Sequence, residues 1–198
     1  MVKVLNEIES HLPSLEVPTA ETVKGVLTHR KTILLRVRQI IDKKIQALKI
    51  RTHGDYHPGQ VLYTGKDFVI IDFEGEPARS LTERRLKQSA LRDVAAMVRS
   101  FHYAAQGSLV LRADKESMDL DYLRHWADLW YFYVSGVFLQ AYRRTVADSQ
   151  VVPADPADFA ALLETFILEK AGYELGYELN HRPDWLLIPV RGIEQILE

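Results

Sequence analysis

Apolar positions recur at helical spacing along most of this chain and as short β-like runs in only one place. Val4, Leu5, Ile8 and Leu12 predict a short amphipathic helix from Val2, closed by Pro13. A second stripe begins near Thr19 to Glu21 and continues through Leu27, Ile33, Leu34, Val37, Ile40, Ile41, Ile45 and Leu48. With basic residues on its other face, it predicts one long helix. Val61-Leu62-Tyr63 and Phe68-Val69-Ile70-Ile71 flank Thr64-Gly65-Lys66-Asp67, the pattern of a tight hairpin. From Ser89 onward the spacing is helical again, over Ala90 to Ala105, Leu120 to Val146, Pro156 to Leu179 and Arg191 to Leu197. Leu129 to Gln140 is the greasiest stretch and is expected in the core, together with Trp126, Trp130, Tyr131 and Tyr133. A lone hairpin is marginally stable, so this one is expected to lie on the helical body. The fold class expected is α+β, mainly α, as one domain over 1–198, with 1–20 as a linking or hinge helix.

Composition narrows the function classes without choosing one. The 198 residues are 47% apolar and 26% charged, ordinary values for a globular protein. A formal charge of −2 gives no basic footprint for nucleic acid. The chain has no cysteine, which removes disulfide, thiol and Cys-ligated metal chemistry. No apolar run approaches the roughly 20 residues of a membrane span. Acidic residues stand in the first ten positions, where a signal peptide would be apolar. A cytoplasmic location is the expectation.

The chemistry concentrates in His53-Gly54-Asp55-Tyr56-His57-Pro58-Gly59-Gln60, the hairpin, and Asp72-Phe73-Glu74-Gly75-Glu76-Pro77. Phosphoryl transfer needs a carboxylate that orients a hydroxyl and accepts its proton, and oxygen ligands for a cation bridging the phosphates. Asp55 lies in a loop after a helix. Gln60 enters the first strand and Asp72 leaves the second, so the hairpin returns Asp72 towards Gln60. A carboxylate with an amide suits Mg²⁺ better than zinc, and His53 with His57 has no evident third nitrogen or sulfur partner. Asp55 could equally shape a turn.

This run resembles the small-molecule phosphotransferases of protein-kinase fold, which act on aminoglycosides, choline and related hydroxyl compounds. The longer run DFEGEPARSLTERRLKQSALRDVAAMVRSFHYAA, with Gln60 and the tail EKAGYELGYELNHRPDWLLIPVRGI, is similar to the maltokinase family. The resemblance covers about His53 to Ile193. It implies a kinase-like C-terminal lobe, ATP as co-substrate with Mg²⁺, and phosphorylation of maltose to maltose 1-phosphate. Trehalose synthase is implied as a fusion partner. Carried over by position, Asp55 is the base, with His57 steadying its loop. Gln60 and Asp72 are metal ligands, and His53 and Glu74 lie on the cofactor side. Glu76 lies toward the sugar, and Asp93 accepts bonds from loop amides.

Tyr173 and Tyr177 share a helix face and, with Glu178 and Trp185, could meet a sugar or simply fill the core. Glu83, Arg84 and Arg85 read as a solvated charge run, with a substrate clamp as the alternative. Nothing before His53 reads as a glycine-rich, lysine-bearing β-lobe, so an ATP-gripping N-terminal lobe is expected elsewhere. Two alternatives stay open: a kinase of another small hydroxyl compound, and an inactive lobe serving as a docking module.

Overall fold

The computed structural model describes residues 1–41, 43–112 and 119–197. In chain order the elements are α1 (Val2–His11), α2 (Val17–Thr28), α3 (Arg30–Ile41), β1 (Lys49–Ile50), β2 (Val61–Tyr63), β3 (Phe68–Ile70), α4 (Leu81–Arg85), β4 (Gln88–Ser89), α5 (Leu91–Val110), α6 (Leu120–Thr145), α7 (Pro156–His181) and α8 (Leu187–Leu197). Single 3-10 turns lie at Leu12–Ser14, Pro58–Gln60 and Pro183–Trp185. The mainly helical reading and the hairpin stand. Among the described residues no helix is long and apolar enough to cross a membrane.

The chain divides into two compact units, one of residues 1–44, 102–133 and 168–198, the other of 45–101 and 134–167. In the first, α1, α2 and α3 bury Leu5, Ile8, Val23, Val26 and Ile33 with Leu168, Ala171, Leu175 and Leu179 of α7 and Val190 and Ile193 of α8. Gly172 and Gly176 lie four apart where α1 crosses. A β-carbon at Gly172 would lie 2.7 Å from Met1 Cε, and one at Gly176 would lie 3.4 Å from Val4 Cγ2. Two missing side chains therefore set how closely these helices approach.

The long helix expected through Leu48 is two helices instead. His29 leaves helical geometry, and its N–H turns onto Val26 O at 3.0 Å. The apolar spacing continues across the break because Val23, Val26 and Ile33 enter the same core from both sides. Spacing alone cannot see such a one-residue turn. The second helix stops at Ile41, and Leu48 donates to Gln150 O at 2.8 Å.

The second unit holds both sheets. β2 and β3 pair antiparallel with Val61 opposite Ile70, Leu62 opposite Val69 and Tyr63 opposite Phe68. Gly65, at φ 90°, makes the turn at no steric cost, and Thr64 N–H donates to Asp67 O at 2.9 Å. A further pairing was not expected from sequence. β1 and β4 join antiparallel, Lys49 opposite Ser89 and Ile50 opposite Gln88. This clasp closes both ends of the segment 51–87, so the chemistry-bearing loop is anchored where it starts and where it ends. Beneath it, α5 buries Leu91, Val94, Ala95, Met97 and Val98.

The core reading of α6 needs correction. Trp126, Leu129, Trp130 and Tyr133 are 45–69% exposed, and Phe132 is 60% exposed. A helix that is apolar on most of its faces needs partners on all of them. This one buries Ser135 and half-buries Tyr131, Val134 and Phe138.

Candidate active site

The loop after β1 is built around two fixed points. Asp93, in the first turn of α5, accepts the backbone N–H of His53 at 2.7 Å on Oδ2 and that of Gly54 at 2.9 Å on Oδ1. Burial pushes the Asp93 carboxyl upward, while those two N–H donors pull it down. Tyr56 is also pushed up, by burial and by the charge of Asp93, so it stays a neutral phenol.

The second fixed point is the His53 ring, which is buried. Nε2 lies 2.7 Å from Ile71 O, and a carbonyl only accepts, so Nε2 carries the proton. Nδ1 is then the acceptor for the Asp55 N–H at 3.3 Å. One imidazole thus ties the loop of Asp55 to the carbonyl just before Asp72. Both of its nitrogens are used on backbone, which leaves none for a nucleotide; the expected cofactor-side role becomes one of holding the loop. His57 is similar in logic. Its Nδ1 accepts the Gly59 N–H at 3.1 Å, so Nε2–H faces Asp55 Oδ2 at 3.9 Å. Gly54, at φ 88°, lets the chain turn into Asp55. A β-carbon there would lie 3.1 Å from Gly75 Cα.

Gln60 and Asp72 meet as the hairpin predicts. The Gln60 Nε2 donates to Asp72 Oδ2 at 2.8 Å, and Ile71 N–H donates to Gln60 O at 3.0 Å. Asp72 has φ 63° and is the one residue other than glycine with positive φ among those described. That conformation is disfavoured for a residue with a β-carbon and is characteristic of functional sites. Asp72→Ala is expected to unfold in urea with about 1 kcal/mol less stability than Asp72→Gly, because both lose the Gln60 contact but only alanine retains the strain.

Among the described residues no three His, Asp or Glu side chains assemble into a self-contained cation cage. The donor set fits a different arrangement. Mg²⁺ takes one or two protein oxygens and completes its octahedron with phosphate and water. An exposed carboxylate beside a side-chain amide is such a pair.

The strap after Asp72 is held by Arg51, which the sequence reading did not single out, and by Arg84, which it left in a charge run. Arg51 Nη2 donates to Phe73 O at 3.3 Å, and Arg84 Nη1 donates to Glu74 O at 3.2 Å. Arg84 is not part of a solvated run, since its side chain is only 18% exposed. A readable signal was the spacing Ser80-x-x-Glu83. Ser80 Oγ accepts Glu83 N–H at 3.3 Å, and Glu83 Oε2 accepts Ser80 N–H at 2.9 Å, a capping box that starts α4. Hydrogen bonding from Ser80 lowers the Glu83 carboxyl. Glu74 extends into solvent and Glu76 is half-buried.

Tyr173, Tyr177, Glu178 and Trp185 belong to the other unit. There Glu178, 1% exposed, accepts from Tyr103 Oη at 2.5 Å and from Arg182 Nη2 at 2.7 Å. Tyr177 stacks on Tyr173 and on His181, with centroids 6.5 and 4.4 Å away. Arg182 lies over Tyr177 at 5.5 Å and over Trp185 at 5.0 Å. Trp185 stacks on Tyr103 at 6.4 Å and fits against Gly107, where a β-carbon would stand 3.0 Å from the indole. The aromatic stripe is therefore a stack packed around the buried Glu178, with Tyr177, His181 and Arg182 exposed on its outer side.

No family model matches the chain. Among curated proteins it is 26% identical over 148 residues to a glucosamine kinase of Streptacidiphilus jiangxiensis, covering 75% of this chain and 32% of that protein. It is 29% identical over 151 residues to a glucosamine kinase of Mycolicibacterium smegmatis (strain ATCC 700084 / mc(2)155), covering 74% and 34%. The chain is similar to glucosamine kinases. It spans about a third of the length of these curated relatives.

Two crystal forms of glucosamine kinase superpose with TM-scores of 0.74 and 0.72 at 24% and 25% identity, covering 99% of this chain and 44% and 45% of theirs. A glucosamine kinase in complex with glucosamine, ADP and inorganic phosphate gives 0.67 at 23% identity, covering 99% and 46%. The fold is thus that of part of a glucosamine kinase, and a relationship to sugar phosphotransferases is supported. These relatives do not carry the likeness to maltokinase.

Proposed function

We propose that these residues form the catalytic and cation-binding lobe of an ATP-dependent sugar kinase whose acceptor is an amino sugar of the glucosamine class. The observation that carries the reading is the His53 ring. It binds the Asp55 amide on one nitrogen and the carbonyl preceding Asp72 on the other, so base and cation ligand share one support. In the reaction an acceptor hydroxyl oxygen bonds to the γ-phosphorus of ATP as the bond to the ADP oxygen breaks. Asp55 orients that hydroxyl and takes its proton, with His57 Nε2–H 3.9 Å from its Oδ2. Gln60 and Asp72 would hold Mg²⁺, which supplies charge neutralisation on the phosphates when bound. Glu74, exposed beyond Asp72, is assigned to the cofactor side and Glu76 to the sugar side.

The test is a substrate panel run on the protein as it occurs in the cell, with MgATP and glucosamine, glucose, maltose or an aminoglycoside. Sugar phosphate is expected with glucosamine first. Transfer to the aminoglycoside alone would sink the sugar reading. Preference for maltose would restore the maltokinase reading, which the run from Asp72 to Ala105 supports.

A further inference from the structure

The strain at Asp72 needs surroundings that enforce it, and the structure shows them carbonyl by carbonyl. Ile71 O is bound by His53, Phe73 O by Arg51 and Glu74 O by Arg84. Three side chains, two from the loop after β1 and one from α4, hold the backbone on both sides of one residue at φ 63°. Arg84 is the member with the most invested in this contact. Its stem lies against Gly75, at φ 82°, where a β-carbon would meet Arg84 Cγ and Cδ at 3.4 Å. Its Nη1 also lies 4.0 Å from Glu74 Oε2. Its Nε is buried with no hydrogen-bond partner, a cost tolerated only where the rest of the side chain is needed in place. The capping box of Ser80 and Glu83 fixes the turn from which Arg84 reaches the strap.

We propose that Arg84 is a positioning residue for the cation site. By holding Glu74 O and covering Gly75 it keeps Asp72 in the left-handed conformation that presents its carboxylate beside Gln60. This rests on the reading of Asp72 as a cation ligand, and Arg84 itself touches neither cation nor substrate. Removing a residue that orients a metal ligand lowers metal affinity by about 10- to 100-fold.

The test is Mn²⁺ binding to the full 198-residue chain, followed by electron paramagnetic resonance without any turnover, beside urea unfolding of each variant. Asp72→Ala should lose the bound Mn²⁺. Arg84→Met should weaken it about tenfold, and Arg84→Lys, whose ammonium can still donate to Glu74 O, should recover most of the loss. Ser80→Ala, at an exposed position, loosens the turn beneath Arg84 and should weaken Mn²⁺ about threefold, which keeps the test usable if Arg84→Met does not fold. Wild-type Mn²⁺ affinity in folded Arg84→Met or in Ser80→Ala, with only the urea midpoint lowered, overturns the role of Arg84. No bound Mn²⁺ in the wild type, or binding undiminished in Asp72→Ala, overturns the cation assignment instead.

Discussion

Asp55→Asn is expected to lower phosphoryl transfer to the sugar by about 10² to 10⁴, the usual contribution of a positioned proton acceptor. Asparagine matches aspartate in shape, so the loop should keep its form. The supports are backbone ones: the residue's own N–H on His53 Nδ1, and the neighbouring amides of His53 and Gly54 on Asp93. What changes is the acceptor. An amide cannot take the hydroxyl proton, and with its oxygen toward His57 Nε2–H, which the carboxylate faces at 3.9 Å in the wild type, its NH₂ is left where the proton acceptor stood. The KM for ATP and the urea midpoint should therefore stay near wild type while kcat falls. Initial rates of ADP release in the protein as it occurs in the cell measure this. A variant within threefold of wild-type kcat would remove Asp55 from the chemistry.

The parts of this site that sequence made visible are those built from near neighbours. A glycine-bearing turn between two β-branched and aromatic runs specifies the hairpin locally, and the hairpin's register then brings Gln60 to Asp72. His53, Asp55 and His57 lie within one loop, so their grouping needs no long-range knowledge. Asp93 is farther off, and its role was legible only by resemblance. The clasp of β1 on β4 escaped notice because two-residue strands carry no periodicity and their partner lies a whole segment away.

Arg51 and Arg84 were hidden for another reason. A guanidinium that donates to a backbone carbonyl looks in sequence like any surface charge, and only the strap's open carbonyls show what it is for. On α6 the error ran the other way. Helical spacing of aromatics reports a helix, and says nothing of how many sides receive a partner. The acceptor illustrates the same limit chemically. Base and cation ligands suit phosphoryl transfer, whereas nothing in their spacing distinguishes maltose from glucosamine as the acceptor.

Loss of Asp93 should be the most damaging single change to the fold of this site. Asp93→Ala leaves two amide donors without an acceptor. That of His53 lies at a buried residue, and that of Gly54 is closer to solvent and can recover water. An orphaned buried donor costs about 1–3 kcal/mol, so the pair should cost about 2–4 kcal/mol. Asp93→Asn keeps one acceptor and turns its NH₂ against the other amide, which places it between alanine and wild type. Since burial holds the Asp93 carboxyl above its ordinary value, the folded chain binds this proton more tightly than the unfolded one. The contribution of Asp93 to stability then falls as pH rises from the ordinary carboxylate range to the raised value, and is level above it. The advantage of wild type over Asp93→Asn should accordingly shrink over that interval and be constant near neutrality. Urea unfolding of the three proteins at several pH values tests both points. A gap that widens with rising pH would mean that the two N–H bonds, not burial, dominate the carboxyl.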